Sequence, residues 1–164
     1  MKKFFTIMLL AVFAFLAFSC DDRNDDIDND TYAVMTDVTG SFNAANNYTL
    51  DQGINIAATD VVLVYRNRNS GNGGTTAWQL IPKTEFIGSG RELDYNFLFD
   101  AQNVEIYTEA NFDQATLTGA EANTYLNNQR FRIVLVPASQ GKNANVDFSD
   151  YNAVLRHFQI ADRP

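Results

Sequence analysis

Apolar and polar residues alternate along most of the chain in short bursts of strand length. The clearest burst sets Leu93, Tyr95, Phe97 and Phe99 against Asp94, Asn96, Leu98 and Asp100, the pattern of a strand with one buried face. Just downstream, Val104 and Ile106 alternate with Glu105 and Tyr107. Between the two runs, Asp100-Ala101-Gln102-Asn103 has the chemistry of a tight hairpin loop, so the runs are expected to pair antiparallel. Upstream, Val61 to Tyr65 is a β-branched run, and the Gly- and Asn-rich stretch from Asn69 to Gly74 suits a long hairpin connection to Thr75–Leu80, with Trp78 at its middle. Gly88-Ser89-Gly90 then turns Thr84–Ile87 into the Leu93 strand. Phe131 to Val136, ended by Pro137, is apolar on both faces and reads as a central strand. Thr31–Val38 and Ser41–Leu50 fit a first hairpin around Thr39-Gly40, the second strand polar enough for an edge.

One stretch near the end changes period. Tyr151, Val154, Leu155 and Phe158 make a single apolar stripe at helical spacing, with Asp147 or Ser149 as cap and Asp150 in the first turn. This stripe is expected to pack on a sheet edge or sandwich end. Leu117 to Asn128 reads either as a loop or as a short helical turn. About seven or eight short strands with one short C-terminal helix predict an all-β fold, an antiparallel β-sandwich of immunoglobulin-like or similar type, with an open barrel as the rival.

The chain opens on a different pattern. Lys2 and Lys3 precede an apolar or small run from Phe4 to Phe18 in which Thr6 is the only hydroxyl, the layout of a secretory signal. The run is short for a transmembrane helix, which needs ~20 apolar residues. Ala17-Phe18-Ser19-Cys20 resembles the bacterial lipobox, where a small residue precedes a cysteine that is acylated and becomes the new N-terminus. The resemblance implies cleavage between Ser19 and Cys20 and a membrane as partner, reached through acyl chains on Cys20. Two or three chains hold a protein where one would not. Ala17 stands where the lipobox usually has Leu, and Phe18 is bulky for its place. Cys20 is the only cysteine in the chain. The alternative is an ordinary secretory leader that leaves Cys20 a free thiol in an oxidising compartment. Residues 1–19 are therefore read as signal peptide, 20–30 as lipidated cysteine and tether, and 31–164 as one sandwich domain.

Asp21 to Asp30 holds six aspartates and one apolar side chain, Ile27, a composition that stays solvated. Such a segment after a lipid cysteine resembles the acidic export signals that carry Bacteroidetes lipoproteins to the outer face of the outer membrane. The alternative is a tether that is acidic only to stay extended. Asp26, Asp28 and Asp30 alternate as at the start of a calcium loop, but Thr31 stands where the turn glycine belongs and no Glu closes the loop. The formal charge is −8, and −10 once Lys2 and Lys3 are lost. That balance speaks against a nucleic-acid partner.

Catalytic sets are missing from the sequence. His157 is the only histidine, with no second histidine or downstream cysteine to complete a zinc site, and neither a Gly-x-Ser-x-Gly elbow nor a P-loop occurs. The chain is thus read as a non-enzyme without cofactor or metal. Glu85, Glu92, Asp94, Glu105 and Glu109 lie near strands, so a hydrolase with a carboxylate pair is one alternative. A carbohydrate-binding accessory lipoprotein is another, with Trp78, Tyr65 and Tyr95 as exposed rings for stacking.

The order Asp60–Tyr65, Trp78–Pro82, Leu93–Phe99, Ala110–Asp113 and Phe131–Pro137 is similar to small envelope lipoproteins of flavobacteria. Some of these are labelled collagen-like for a short Gly-Xaa-Yaa tract after the lipid cysteine. The likeness spans about Thr31 to Ile160, and the acidic spacer takes the place of the tract, so no triple helix is implied. The resemblance implies a lipid-anchored protein of the cell envelope; the outer membrane is the expected location, with the domain at the cell surface or in the periplasm, and an envelope protein or a glycan is the expected partner. It supplies no activity and no functional residues.

Overall fold

Most of the alternating runs become strands in the computed structural model, which describes residues 32–57, 60–142 and 144–163. Ser19, Cys20 and the segment Asp21–Asp30 lie outside the described residues. The strands are β1 (Val34–Gly40), β2 (Thr49–Gly53), β3 (Val61–Asn67), β4 (Trp78–Leu80), β5 (Lys83–Gly88), β6 (Arg91–Phe99), β7 (Asn103–Ala110) and β8 (Gln129–Val136). They form two antiparallel sheets, the first in the order β1-β8-β3-β4 and the second β2-β7-β6-β5. The expected sandwich is therefore present. Its order departs from the immunoglobulin one, which keeps the first two strands in one sheet.

Three expected hairpins form: β3 with β4, β5 with β6, and β6 with β7. Asp100 closes the last of them, its Oδ1 accepting from the amides of Gln102 and Asn103, each at 2.7 Å. The expected first hairpin does not form, since β1 pairs with β8 and β2 with β7 in the opposite sheet. Phe42 is the reason. Its side chain is buried between the sheets, edge-on to both Tyr95 and Phe131, and carries the chain across. The turn then falls beyond it, where Asn43 caps a 3-10 turn over Ala44–Asn46 and Asn47 and Tyr48 take φ of 52° and 56°. Gly40 is the last residue of β1, where a Cβ would lie 2.5 Å from the Leu50 side chain.

β8 is central, as its two apolar faces predict, and only Arg130 in it is not buried. Its inward residues Phe131, Ile133 and Leu135 meet Val62, Val64, Leu93, Tyr95, Val104 and Ile106 in the core between the sheets. Residues 119–125 are helical, α1 (Gly119–Tyr125), started by a capping box of Thr118 and Glu121. This helix sits against the β3–β4 loop so closely that a Cβ on Gly71 would lie 1.7 Å from the Asn123 carbonyl oxygen. A single turn, α2 (Ala138–Gly141), follows β8.

The C-terminal helix, α3 (Tyr151–His157), is capped by Asp150, which accepts from the Ala153 amide at 3.0 Å. Asp147 is spent one turn earlier on the amide and hydroxyl of Ser149, at 2.9 and 2.7 Å. Contrary to expectation, the helix packs on a sheet face rather than an edge or end. Tyr151, Val154, Leu155 and Phe158 cover Met35, Leu63, Tyr65, Val134 and Val136, the outward residues of the first sheet. A third layer results.

Candidate functional site

The register of the first sheet sets Asp37, Arg132, Tyr65 and Leu80 side by side on the face under α3. Arg132 is fully buried there, a position a cation holds only when its donors are satisfied. Its Nε and Nη2 donate to the two oxygens of Asp37 at 2.7 and 2.9 Å. Nη1 donates to Asp162 Oδ1 at 2.7 Å and to the Tyr151 hydroxyl, and Nη2 also reaches the Arg163 carbonyl at 2.9 Å. The Tyr151 hydroxyl donates to Asp162 Oδ1 at 2.7 Å, and Arg130 adds a bond to Asp37 at 2.6 Å. The guanidinium carbon lies 4.4 Å from the centre of the Trp78 ring. One arginine thus ties β1, β8, α3 and the C-terminal residues together.

The electrostatics follow from this arrangement. Burial works against the Asp37 carboxylate, but hydrogen bonds from Arg132 and Arg130 outweigh it and hold the group below the usual carboxylate range. The hydrogen bond from Tyr151 is the largest influence lowering Asp162. Burial pushes the Tyr151 phenol up to about 12, with its bond to Asp162 acting in the same direction. Among the described residues no buried side-chain polar atom lacks a partner.

Beside this network a cleft of about 410 Å³ opens between Trp78 and the start of α3, with Ser149, Asp150, Asn152 and Asp162 along its rim. Trp78 is partly exposed in it. A part-open indole ringed by carboxylates, an amide and a hydroxyl can take hydroxyl donors and an apolar ring edge. A second cleft, of about 380 Å³, includes Arg66, Arg68, Glu85 and Tyr125. Arg66 is buried, donates to Gln129 Oε1 at 2.8 and 2.9 Å and to Glu85 at 3.1 Å, and lies 4.0 Å above the Tyr95 ring. Its desolvation lowers its pKa from the ordinary arginine value.

The three rings expected to form a stacking row are separated. Tyr65 is fully buried under α3, with its hydroxyl donating to the Phe148 carbonyl at 2.7 Å. Tyr95 is fully buried on the other side of the first sheet, in the inter-sheet core, with its hydroxyl on the Tyr125 carbonyl. Trp78 alone reaches solvent. Burial of both tyrosines has a common cause: each sits on a central strand of its sheet and finds a backbone carbonyl for its hydroxyl.

Of the five carboxylates considered for hydrolysis, Glu85 turns inward to Arg66 and Arg68. The other four lie along the outer face of the second sheet, where Asp94 stands opposite Glu109 on an open ladder, while Glu105 and the Asp51 opposite it line an open cleft of about 340 Å³. His157 is exposed at the end of α3, edge-on to Phe158. No group of three or more His, Cys, Asp or Glu side chains among the described residues is placed to hold a metal ion. Sequence reasoning missed Arg132, Asp37 and Asp162. The available signal was an arginine inside a strand whose two faces are both apolar, because such a charge requires buried partners. No family model, curated protein or solved structure matches the chain.

Proposed function

We propose that the chain is a membrane-anchored envelope lipoprotein whose β-sandwich is a non-catalytic interaction domain. The observation that carries this reading is the placement of the only cysteine: Cys20 follows the apolar run Phe4–Phe18 and immediately precedes the acidic segment Asp21–Asp30. Acyl chains on that cysteine would anchor the protein, and the acidic segment would space the domain from the lipid surface. The first strand begins at Val34, shortly after the spacer ends. The polar groups of the Arg132 network support a structural role, since they are engaged with one another rather than left free for a reacting molecule.

A second reading, a carbohydrate-binding accessory lipoprotein, is supported by the cleft at Trp78 with Asp150, Asn152 and Asp162 on its rim. It rests on Trp78 without Tyr65 or Tyr95.

Mass spectrometry of the mature N-terminus, paired with protease shaving of intact cells, tests the first reading. Acyl chains on Cys20 and a domain shaved from whole cells are expected, and the Cys20→Ala protein should be neither acylated nor retained by membranes. An unmodified thiol at the mature N-terminus would remove the anchor. Trp78→Ala abolishing binding to a panel of glycans would select the second reading.

A further inference from the structure

The outer face of the second sheet carries no covering layer among the described residues. Alternation along β2, β6 and β7 turns Asp51, Glu92, Asp94, Glu105 and Glu109 outward, away from the core residues Leu50, Leu93, Tyr95, Val104 and Ile106. Two pairs of these carboxylates stand directly opposite each other across neighbouring strands, Asp51 with Glu105 and Asp94 with Glu109. Like charges in that position destabilise a sheet. None of the five forms an ion pair with a described lysine or arginine. Phe86, opposite Glu92, and Leu98, opposite Glu105, stand 73% and 57% exposed on the same face.

We infer that this face is a docking surface for a cationic segment of another protein, extended and rich in lysine or arginine. This rests on the interaction-domain reading and names its surface and partner. Charge complementarity selects the occupant. Neighbouring strands are ~4.8 Å apart and same-face residues within a strand ~6.8 Å apart, inside a screening length of ~8 Å, so the carboxylates act on an approaching cation together. A second copy presenting the same face would set carboxylates against carboxylates. The chain's own segment Asp21–Asp30 is excluded on the same ground. A cationic segment would relieve both opposed pairs while its aliphatic stems cover Phe86 and Leu98.

The test uses the full mature chain with zwitterionic phosphatidylcholine vesicles and a fluorescent peptide of roughly six Lys-Thr repeats, an extended cationic probe. Anisotropy should report binding that the matching Glu-Thr peptide lacks. Glu105→Gln with Glu109→Gln should weaken it about tenfold. Asp25→Asn with Asp26→Asn removes the same charge from the spacer and should change it less than about twofold. Equal weakening by the two double variants, no effect of the first, no binding of the Lys-Thr peptide, or equal binding of the Glu-Thr peptide would overturn the proposal. Should the Glu105/Glu109 protein fail to fold, Asp51→Asn with Glu92→Gln replaces it under the same criteria. The outcome is separable from the anchor, because an unacylated chain that binds the peptide through this face would lose the lipoprotein reading and keep this one.

Discussion

The two outer faces of the sandwich are built from the same alternation and end in opposite states. On the first sheet the outward residues Met35, Leu63, Tyr65, Val134 and Val136 are apolar, and α3 covers them. On the second the outward residues are Asp51, Glu92, Asp94, Glu105 and Glu109 with Thr49, Asn96 and Tyr107 among them, and no described element covers them. Strands β3 and β8 are apolar on both faces because they sit between two packed layers, whereas β6 and β7 alternate because they sit between a packed layer and water. The difference separates a covered side from a bare one. The charges make the same division: Arg132 and Asp37 on the covered face are mutually satisfied, and the carboxylates of the bare face are set against one another.

Removing the central cation of the covered face should give the largest effect. Arg132→Met leaves Asp37 and Asp162 without their shared donor, and breaking a buried pair from one side costs about 3 kcal/mol at the low end. The low end applies because the Asp162 side chain is 60% exposed. Urea unfolding should show a lowered midpoint with the slope preserved; a midpoint within error of the parent would mean that the network orders the C-terminal residues without contributing net stability.

A matched pair of truncations compares the faces directly. Leu155→Ala removes a buried side chain that α3 packs on the first sheet and should cost about 2–3 kcal/mol, while Leu98→Ala on the bare face should stay within about 0.5 kcal/mol. Similar costs at the two positions would show that the bare face is covered in solution.

Titration of the covered face should limit stability at both ends of the pH scale. Asp37 and Asp162 have lowered pKa values in the folded protein, so their contribution is present above the unfolded carboxylate value of about 3.9 and is lost as pH falls through the folded values. Tyr151 is raised to about 12; its contribution is complete below the unfolded phenol value of about 10 and is lost as pH rises through about 12. Asp37→Asn should flatten the acid limb of urea midpoint against pH, and Tyr151→Phe should flatten the alkaline limb. Unchanged limbs would place the pH sensitivity outside this network.

Strand positions and the three short hairpins were legible because they depend on local alternation and turn chemistry: Leu93–Phe99, Asp100–Asn103 and Gly88–Gly90 each carry their own signal. The partner of β1 was not legible, since whether the chain turns at Gly40 or crosses at Phe42 depends on space between the sheets near Tyr95 and Phe131. The stripe of α3 was visible, and the face it covers became visible only with the outward apolar residues of β3 and β8 assembled side by side. Of the rings proposed for stacking, Trp78 kept access to solvent, while Tyr65 and Tyr95 were lost to burial because period two does not tell a tyrosine facing the core from one facing water. Arg132 illustrates the remaining gap. Its partners Asp37 and Asp162 lie far away in sequence, and only the register of β1 with β8 and the path of the C-terminus bring them to it.

The smallest expected effect has the opposite sign to the others. Glu105 faces Asp51 on one side and Leu98 on the other, so Glu105→Gln removes a like-charge opposition without changing the shape of an outward side chain. Relief of one such pair should stabilise the fold by about 0.2–0.5 kcal/mol, and the gain should shrink with added salt as the repulsion it removes is screened. A gain in stability that accompanies weaker binding of a cationic peptide would identify the carboxylate as kept for recognition at some cost to the sheet. A loss of stability would instead assign Glu105 a stabilising role in the sheet, and the two faces would then differ in what covers them rather than in what they are for.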